Sequence, residues 1–204
     1  MKNRDSLRRR KSFREPRARF LIVCEGEVTE PTYFKDIRHR ERGIIELEIV
    51  PAGVPKTVVE RAVQLKKGSE RDARKDENLR YDHVRCVFDV DAHPFLAEAK
   101  EQARANAIEI AVSNPCFELW FLLHFKDQTA HIERHKVQHQ CGEHMPGYQK
   151  VPPCDTLMPL RDAAIERAIQ LDNWHATRDT VGGNPSTGVY RLIQQITDAC
   201  RPPG

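Results

Sequence analysis

Phe20-Leu21-Ile22-Val23-Cys24 is an unbroken apolar run with two β-branched members, and it leads straight into Glu25-Gly26. A run of that length and make-up, closed by a glycine, fits a strand buried on both faces and ended by a tight turn. A strand hidden on both faces belongs to a parallel sheet with helices above and below it. Such sheets bind their ligands just beyond the carboxyl ends of the strands. Glu25 stands at that place, and Glu27 and Glu30 follow within the next turn of sequence.

The chain then alternates between helical and strand patterns. Thr29 and Glu30-Pro31 supply a cap and an early-helix proline, so a helix is expected over about residues 30–41 with Tyr33, Phe34 and Ile37 as its apolar stripe. Strands are expected over 44–50, 84–88 and 108–112, and helices over 56–67 and 94–107. The charged stretch 68–82 reads as a loop or a frayed helix end. Ser113-Asn114-Pro115 is expected to cap a helix carrying Phe117, Leu119, Trp120, Leu122, Leu123 and Phe125. Helices over 156–172 and 187–199 close the chain, with a loop from Gly182 to Thr187 between them. The expected fold is α/β: a mainly parallel four-stranded sheet flanked by helices, with a helical C-terminal portion. Residues 19–200 are expected to form one domain, with a His-rich polar insertion at about 126–155.

Charge is unevenly spread. The first 20 residues hold nine Lys or Arg against Asp5 and Glu15, so they carry +7 of a chain whose net charge is +3. Residues 1–18, with Arg8, Arg9 and Arg10 together, read as a disordered basic arm. Such an arm suits the phosphates of DNA or RNA, from which Lys and Arg displace counterions; a solubilising tail is the alternative. No stretch reaches the roughly 18 apolar residues of a membrane span, and no apolar segment of a secretory signal follows the basic start. The six cysteines follow no disulfide-like rhythm, which fits a reducing cytoplasm.

A second acidic group is Val87-Phe88-Asp89-Val90-Asp91. Two aspartates one residue apart at the end of a buried strand can share one cation, and carboxylate oxygens suit Mg²⁺ or Mn²⁺. If this strand neighbours the one ending at Glu25, the acids form a cluster fit for metal-assisted phosphoryl chemistry. Helix capping is the structural alternative. Glu118 falls in the first turns of a helix after a strand end, so it either points into the same cleft or sits there as a capping acid. Ser113 and Asn114 either hydrogen-bond a phosphate or cap that helix.

These residues together resemble a family. Leu21-Ile22-Val23-Cys24-Glu25-Gly26 and the later Phe88-Asp89-Val90-Asp91 resemble the Toprim pattern of a strand ending in Glu-Gly and a strand ending in D-x-D. More narrowly, the chain resembles RloB-like proteins. The resemblance rests on Cys24-Glu25-Gly26-Glu27-Val28-Thr29-Glu30-Pro31, Val87 to Asp91, Ser113 to Phe125, Tyr148-Gln149-Lys150 and Asn184-Pro185-Ser186-Thr187, in that order. It implies a Toprim-like fold with a Mg²⁺-dependent acidic site and nuclease chemistry, by analogy with Toprim nucleases of the overcoming-lysogenization type. It also implies a place in restriction or anti-phage defence, often beside a partner ATPase. On it, Glu25 matches the Toprim glutamate, a metal ligand or general acid/base, and Asp89 and Asp91 match the D-x-D metal ligands. Glu27 and Glu30 match the acidic turn. Lys150 would stabilise charge on a scissile phosphate; a plain surface lysine is the alternative.

His131, His135 and His139 are four apart and would share a face on one helix, with Cys141, His144 and Cys154 close behind. Zinc is disfavoured, because no second clean ligand pair stands at finger-like spacing. His124 reads as a packing residue. Two other functions compete with a metal-dependent nuclease. One is a haloacid-dehalogenase-like phosphohydrolase, which would leave Glu25-Gly26 unexplained. The other is a non-catalytic nucleic-acid-binding or adaptor subunit of an ATPase-containing complex. A homo-oligomer is compatible with any of the three.

Overall fold

Strand β1 (Arg19–Cys24) lies in the interior of the sheet, and Phe20 to Cys24 are each at most 2 % exposed. The computed structural model describes residues 18–41, 44–49, 54–90 and 95–201. The basic arm with Arg8, Arg9 and Arg10, and also Asp91, lie outside the described residues. The elements in order are β1, α1 (Thr29–Glu41), β2 (Ile44–Ile49), α2 (Pro55–Asp72), β3 (His83–Asp89), α3 (Leu96–Ala105) and β4 (Glu109–Asn114). They continue with α4 (Glu118–Phe125), α5 (Arg134–His144), α6 (Cys154–Leu157), α7 (Arg161–Ala176), β5 (Ser186–Thr187) and α8 (Val189–Cys200).

The fold is α/β, with a five-stranded sheet in the order β2-β1-β3-β4-β5. The first three pairings are parallel and β5 runs antiparallel to β4. The chain leaves β1 in one direction to make β2, then crosses back to make β3 on β1's other side. Right-handed crossovers place α1 on one face and α2 and α3 on the other. The packing follows that rule. Phe20, Ile22 and Cys24 join a core with Tyr33, Phe34 and Ile37 of α1 and with the C-terminal helices. Leu21 and Val23 join a second core with Val58, Val59 and Ala62 of α2 and Ala99 and Ala103 of α3. Alternate residues of one strand thus feed opposite layers.

Helix α4 is buried nearly all round. Leu119 to Leu123 are at most 1 % exposed, because α5 and α7 pack on it and α1 borders the same core. Phe117 and Phe121 meet Tyr33 edge-on or tilted, with ring centroids 6.0 and 5.4 Å away. A helix this apolar can only be internal.

Three expectations are corrected. The sheet has a fifth strand, β5, whose two residues are too few to show any periodicity. Ser113 and Asn114 do not cap α4: β4 continues through both, because Ser186 and Thr187 pair with them. The Ser113 hydroxyl bonds the Thr187 hydroxyl at 2.9 Å, and Asn114 Nδ2 donates to the Gly182 carbonyl at 3.1 Å. The helix expected at 156–172 begins at Arg161, since Pro159 lacks an N–H and confines the preceding residues to α6 and a single 3₁₀ turn. In addition α2 runs on to Asp72, as the helix-favouring Lys, Glu and Arg beyond residue 67 allow.

The packing around α4 sets a stability test. Trp120 is fully buried, so Trp120→Ala is expected to lower unfolding free energy by about 3–5 kcal/mol. Urea denaturation measures it, and a loss below about 1 kcal/mol would contradict a tightly packed α4.

Candidate active site: an acidic cleft at the strand ends

The order β2-β1-β3 makes the chain diverge at β1, so a crevice opens where β1 and β3 end. Cys24 pairs with Val87, and the Glu25 N–H donates to the Val87 carbonyl at 3.3 Å. Continuing that register sets Glu25 beside Phe88 and Gly26 beside Asp89. The two acids therefore leave neighbouring strands at nearly the same level.

A cleft of about 410 Å³ lies over these strand ends. Glu25, Glu27, Glu30, Asp89 and Glu118 line it, together with Thr29, Phe117, Arg134, Gln138 and Lys150. Four elements or their ends supply the carboxylates: β1, the start of α1, β3 and the start of α4. The buried helix α4 carries Glu118 at its first position, 7 % exposed. Gln138 Nε2 donates to Glu118 Oε1 at 3.3 Å, and the Cys141 thiol meets the Glu118 carbonyl at 3.3 Å. Of the acids in the turn after β1, Glu30 is the buried one, 7 % exposed, while Glu27 stands at the solvent side.

Gly26 is what admits Glu30. A Cβ built on Gly26 would fall 2.0 Å from Glu30 Oε2 and 2.5 Å from Oε1. A larger residue at position 26 would have to push the Glu30 carboxyl group, the far end of a flexible side chain, out of its present place. The Glu-Gly pair thus serves two neighbouring functions: Glu25 supplies a carboxylate, and Gly26 clears space for another one four residues on.

Glu30 bears the electrostatic consequence. Burial raises its pKa to about 7, the Glu30 backbone N–H opposes that rise, Glu118 and Glu25 add to it, and the Arg134 charge opposes it. Like charges sharing a dry site cannot all ionise freely. Burial, with Glu30 as the next contributor, also pushes up the thiol of Cys24 beneath the cleft.

Among the described residues, two cations answer the acids. Arg134, the first residue of α5, places Nη2 3.1 Å from Asp89 Oδ2. Lys150 also lines the cleft and adopts φ +64°. That conformation costs a non-glycine residue roughly 1–2 kcal/mol. The Thr29 hydroxyl donates to the Lys150 carbonyl at 3.0 Å, fastening this loop over the start of α1.

The structure therefore brings together Glu25, Glu30, Asp89, Glu118 and Lys150, all singled out from sequence. Ser113 and Asn114 do not line the cleft. Sequence reasoning missed Arg134 and Gln138; the available signal was that Arg134 is the sole arginine of the His-rich stretch 126–155. Within that stretch His131 precedes α5, so it shares no helix face with His135 and His139, which are exposed beside Glu133 and Glu143. Cys141 faces the core. His124 is buried with Nδ1 2.8 Å from the Trp120 carbonyl, and burial lowers its pKa to about 4.

Among the described residues, no three His, Cys, Asp or Glu side chains already stand close enough to enclose an ion. The donor chemistry of the described residues nevertheless fits a hard divalent cation: carboxylate oxygens, several of them mutually repelling, on a rigid strand end. Asp91, the second D-x-D acid, lies beyond the described residues.

Fold and site together define a doubly wound α/β protein with a carboxylate-lined cleft at its switch point. The chain belongs to the RloB-like protein family, whose sequence profile matches residues 20–196. No curated protein and no solved structure matches it. Among the described residues no helix is long and apolar enough to cross a membrane.

The raised Glu30 pKa makes the stability of the fold depend on pH. The native state keeps a proton that the unfolded chain releases above about pH 4.5. The stabilisation is complete below that pH and is lost as pH rises to about 7. The full swing is on the order of 3 kcal/mol. Glu30→Gln is expected to flatten this part of the profile and to raise stability at pH 8 without divalent cations. Urea midpoints of both proteins between pH 4 and pH 8 measure the difference; parallel profiles would contradict it.

Proposed function

We propose that this protein is a metal-dependent nuclease of Toprim type that acts in restriction-associated or anti-phage defence, with a partner ATPase. The observation that carries the reading is the convergence of Glu25, Glu30, Asp89 and Glu118 on one cleft at the strand ends. The RloB-like membership supports it, and the Toprim-like character of the fold is part of the same proposal.

In this reading Glu25 and Asp89 hold Mg²⁺ or Mn²⁺, with Asp91, Glu30 and Glu118 as the further oxygen donors. The bound cation supplies Lewis-acid polarisation of the scissile phosphate and acidification of a water molecule. Glu25, through the carboxylate oxygen turned away from the cation, orients the attacking water and accepts its proton as the water oxygen bonds to phosphorus; the P–O bond to the leaving nucleotide oxygen breaks, and that oxygen takes a proton from solvent. Glu30, with its pKa near 7, gives up a proton as the site takes its cation. Lys150 brings its ammonium group to a non-bridging phosphate oxygen, and its fixed backbone limits the reorganisation this needs. Arg8, Arg9 and Arg10 hold the nucleic acid through its backbone.

The haloacid-dehalogenase-like reading fits less well. That family's nucleophilic aspartate lies near the start of the chain, whereas here Glu25 follows the first strand and Asp89 ends the third.

Purified protein, alone and with its partner ATPase, is expected to cleave DNA or RNA only with Mg²⁺ or Mn²⁺. Glu25→Ala and Asp89→Ala are each expected to slow cleavage at least about 100-fold. Gel assays of labelled single- and double-stranded substrates measure this. Nucleic-acid binding without cleavage under all these conditions would overturn the proposal in favour of a binding or adaptor subunit.

A further inference from the structure

Helix α5 starts at the edge of the cleft and delivers one arginine into it. Arg134 Nη2 lies 3.1 Å from Asp89 Oδ2, with Asp89 the more buried partner at 14 % side-chain exposure against 40 %. The same nitrogen lies 3.5 Å from the Pro115 carbonyl, in the turn between β4 and α4. The guanidinium is thus braced by backbone on one side and by a candidate metal ligand on the other. Its charge also reaches Glu30, where it opposes the repulsion from Glu118 and Glu25. Among the described residues, five carboxylates and two cations line this cleft, and Arg134 is one of those two cations.

A cation entering such a site must take over the carboxylate that the arginine holds. A half-exposed guanidinium with five donors then has a second target of matching geometry, a phosphate oxygen pair at the mouth of the cleft. We propose that Arg134 is the resident counter-ion of the site: it holds Asp89 until a divalent cation displaces it, and then binds the phosphodiester of the nucleic acid. This rests on the nuclease reading and adds to it a residue that couples cation entry to substrate binding. The exchange needs no movement of the fold, because Asp89 sits on a rigid strand and Arg134 projects from a helix end.

The test is Mn²⁺ binding by Arg134→Gln and Arg134→Lys in the full chain, followed by electron paramagnetic resonance of free Mn²⁺. Arg134→Gln is expected to bind Mn²⁺ about three- to tenfold more tightly than the unaltered protein, since one partly exposed competitor has been removed. Arg134→Lys, which keeps the charge but loses the fork, is expected to fall between the two. With Ca²⁺ present, Arg134→Gln is expected to bind a fluorescent single-stranded oligonucleotide at least about threefold more weakly. Circular dichroism checks that both variants fold; were Arg134→Gln unfolded, Arg134→Lys alone decides, by the same ordering. Mn²⁺ affinity in the variants equal to or weaker than that of the unaltered protein, or undiminished oligonucleotide binding, would overturn the inference and leave the nuclease reading standing. Absence of Mn²⁺ binding by the unaltered protein would overturn both.

Discussion

Everything about this protein's site depends on crowding carboxylates into a place where water cannot fully screen them. A buried acid among other acids is costly unless it is protonated or answered by a cation. Glu30 shows the first remedy in its raised pKa, and Asp89 shows the second in its pair with Arg134. The fold bears this cost because rigid elements fix the acids. Glu25 and Asp89 end two interior strands held in register, Glu118 opens a helix packed on all sides, and Gly26 leaves a space that the Glu30 carboxyl group fills. A structure with no use for charge there would gain stability by replacing these residues with apolar ones.

The architecture explains why this crowding occurs where it does. The chain departs from β1 toward both sides, so among the described residues no connection runs across the carboxyl ends of β1 and β3, and a crevice results. Helices on both faces make the interior of the sheet dry, which is why the run from Phe20 to Cys24 has no polar member. The C-terminal helices do more than cover one face. They bury α4, and α4 in turn carries Glu118 to the cleft, while α5 brings Arg134 and Gln138 across its edge.

Much of this was legible in sequence wherever a physical rule acts locally. Five apolar residues ending in Glu-Gly mark a buried strand and its turn, and the strand-helix rhythm marks the parallel sheet. The acids at strand ends follow from those two facts. What was not legible depends on distant partners. Ser113 and Asn114 look like caps because serine and asparagine before proline usually cap; only the two residues of β5, more than seventy positions later, make them strand. Arg134 reads as one more charge in a polar segment, and nothing in its neighbours tells that α5 begins at the cleft. The even spacing of His131, His135 and His139 presumes a helix that starts only at Arg134. Glu27 and Glu30 looked equivalent until the turn geometry set one at the surface and the other against Gly26.

Family membership and fold narrow the chemistry without performing it, since one fold hosts many reactions. The central claim is that the cleft is a divalent-cation site built on Glu25 and Asp89. The most direct measurement is anomalous X-ray scattering from crystals of the full chain soaked in Mn²⁺. The account predicts a peak bonded to oxygens of both residues. A fully occupied Mn²⁺ elsewhere, with Arg134 still holding Asp89 and no peak in the cleft, would contradict it.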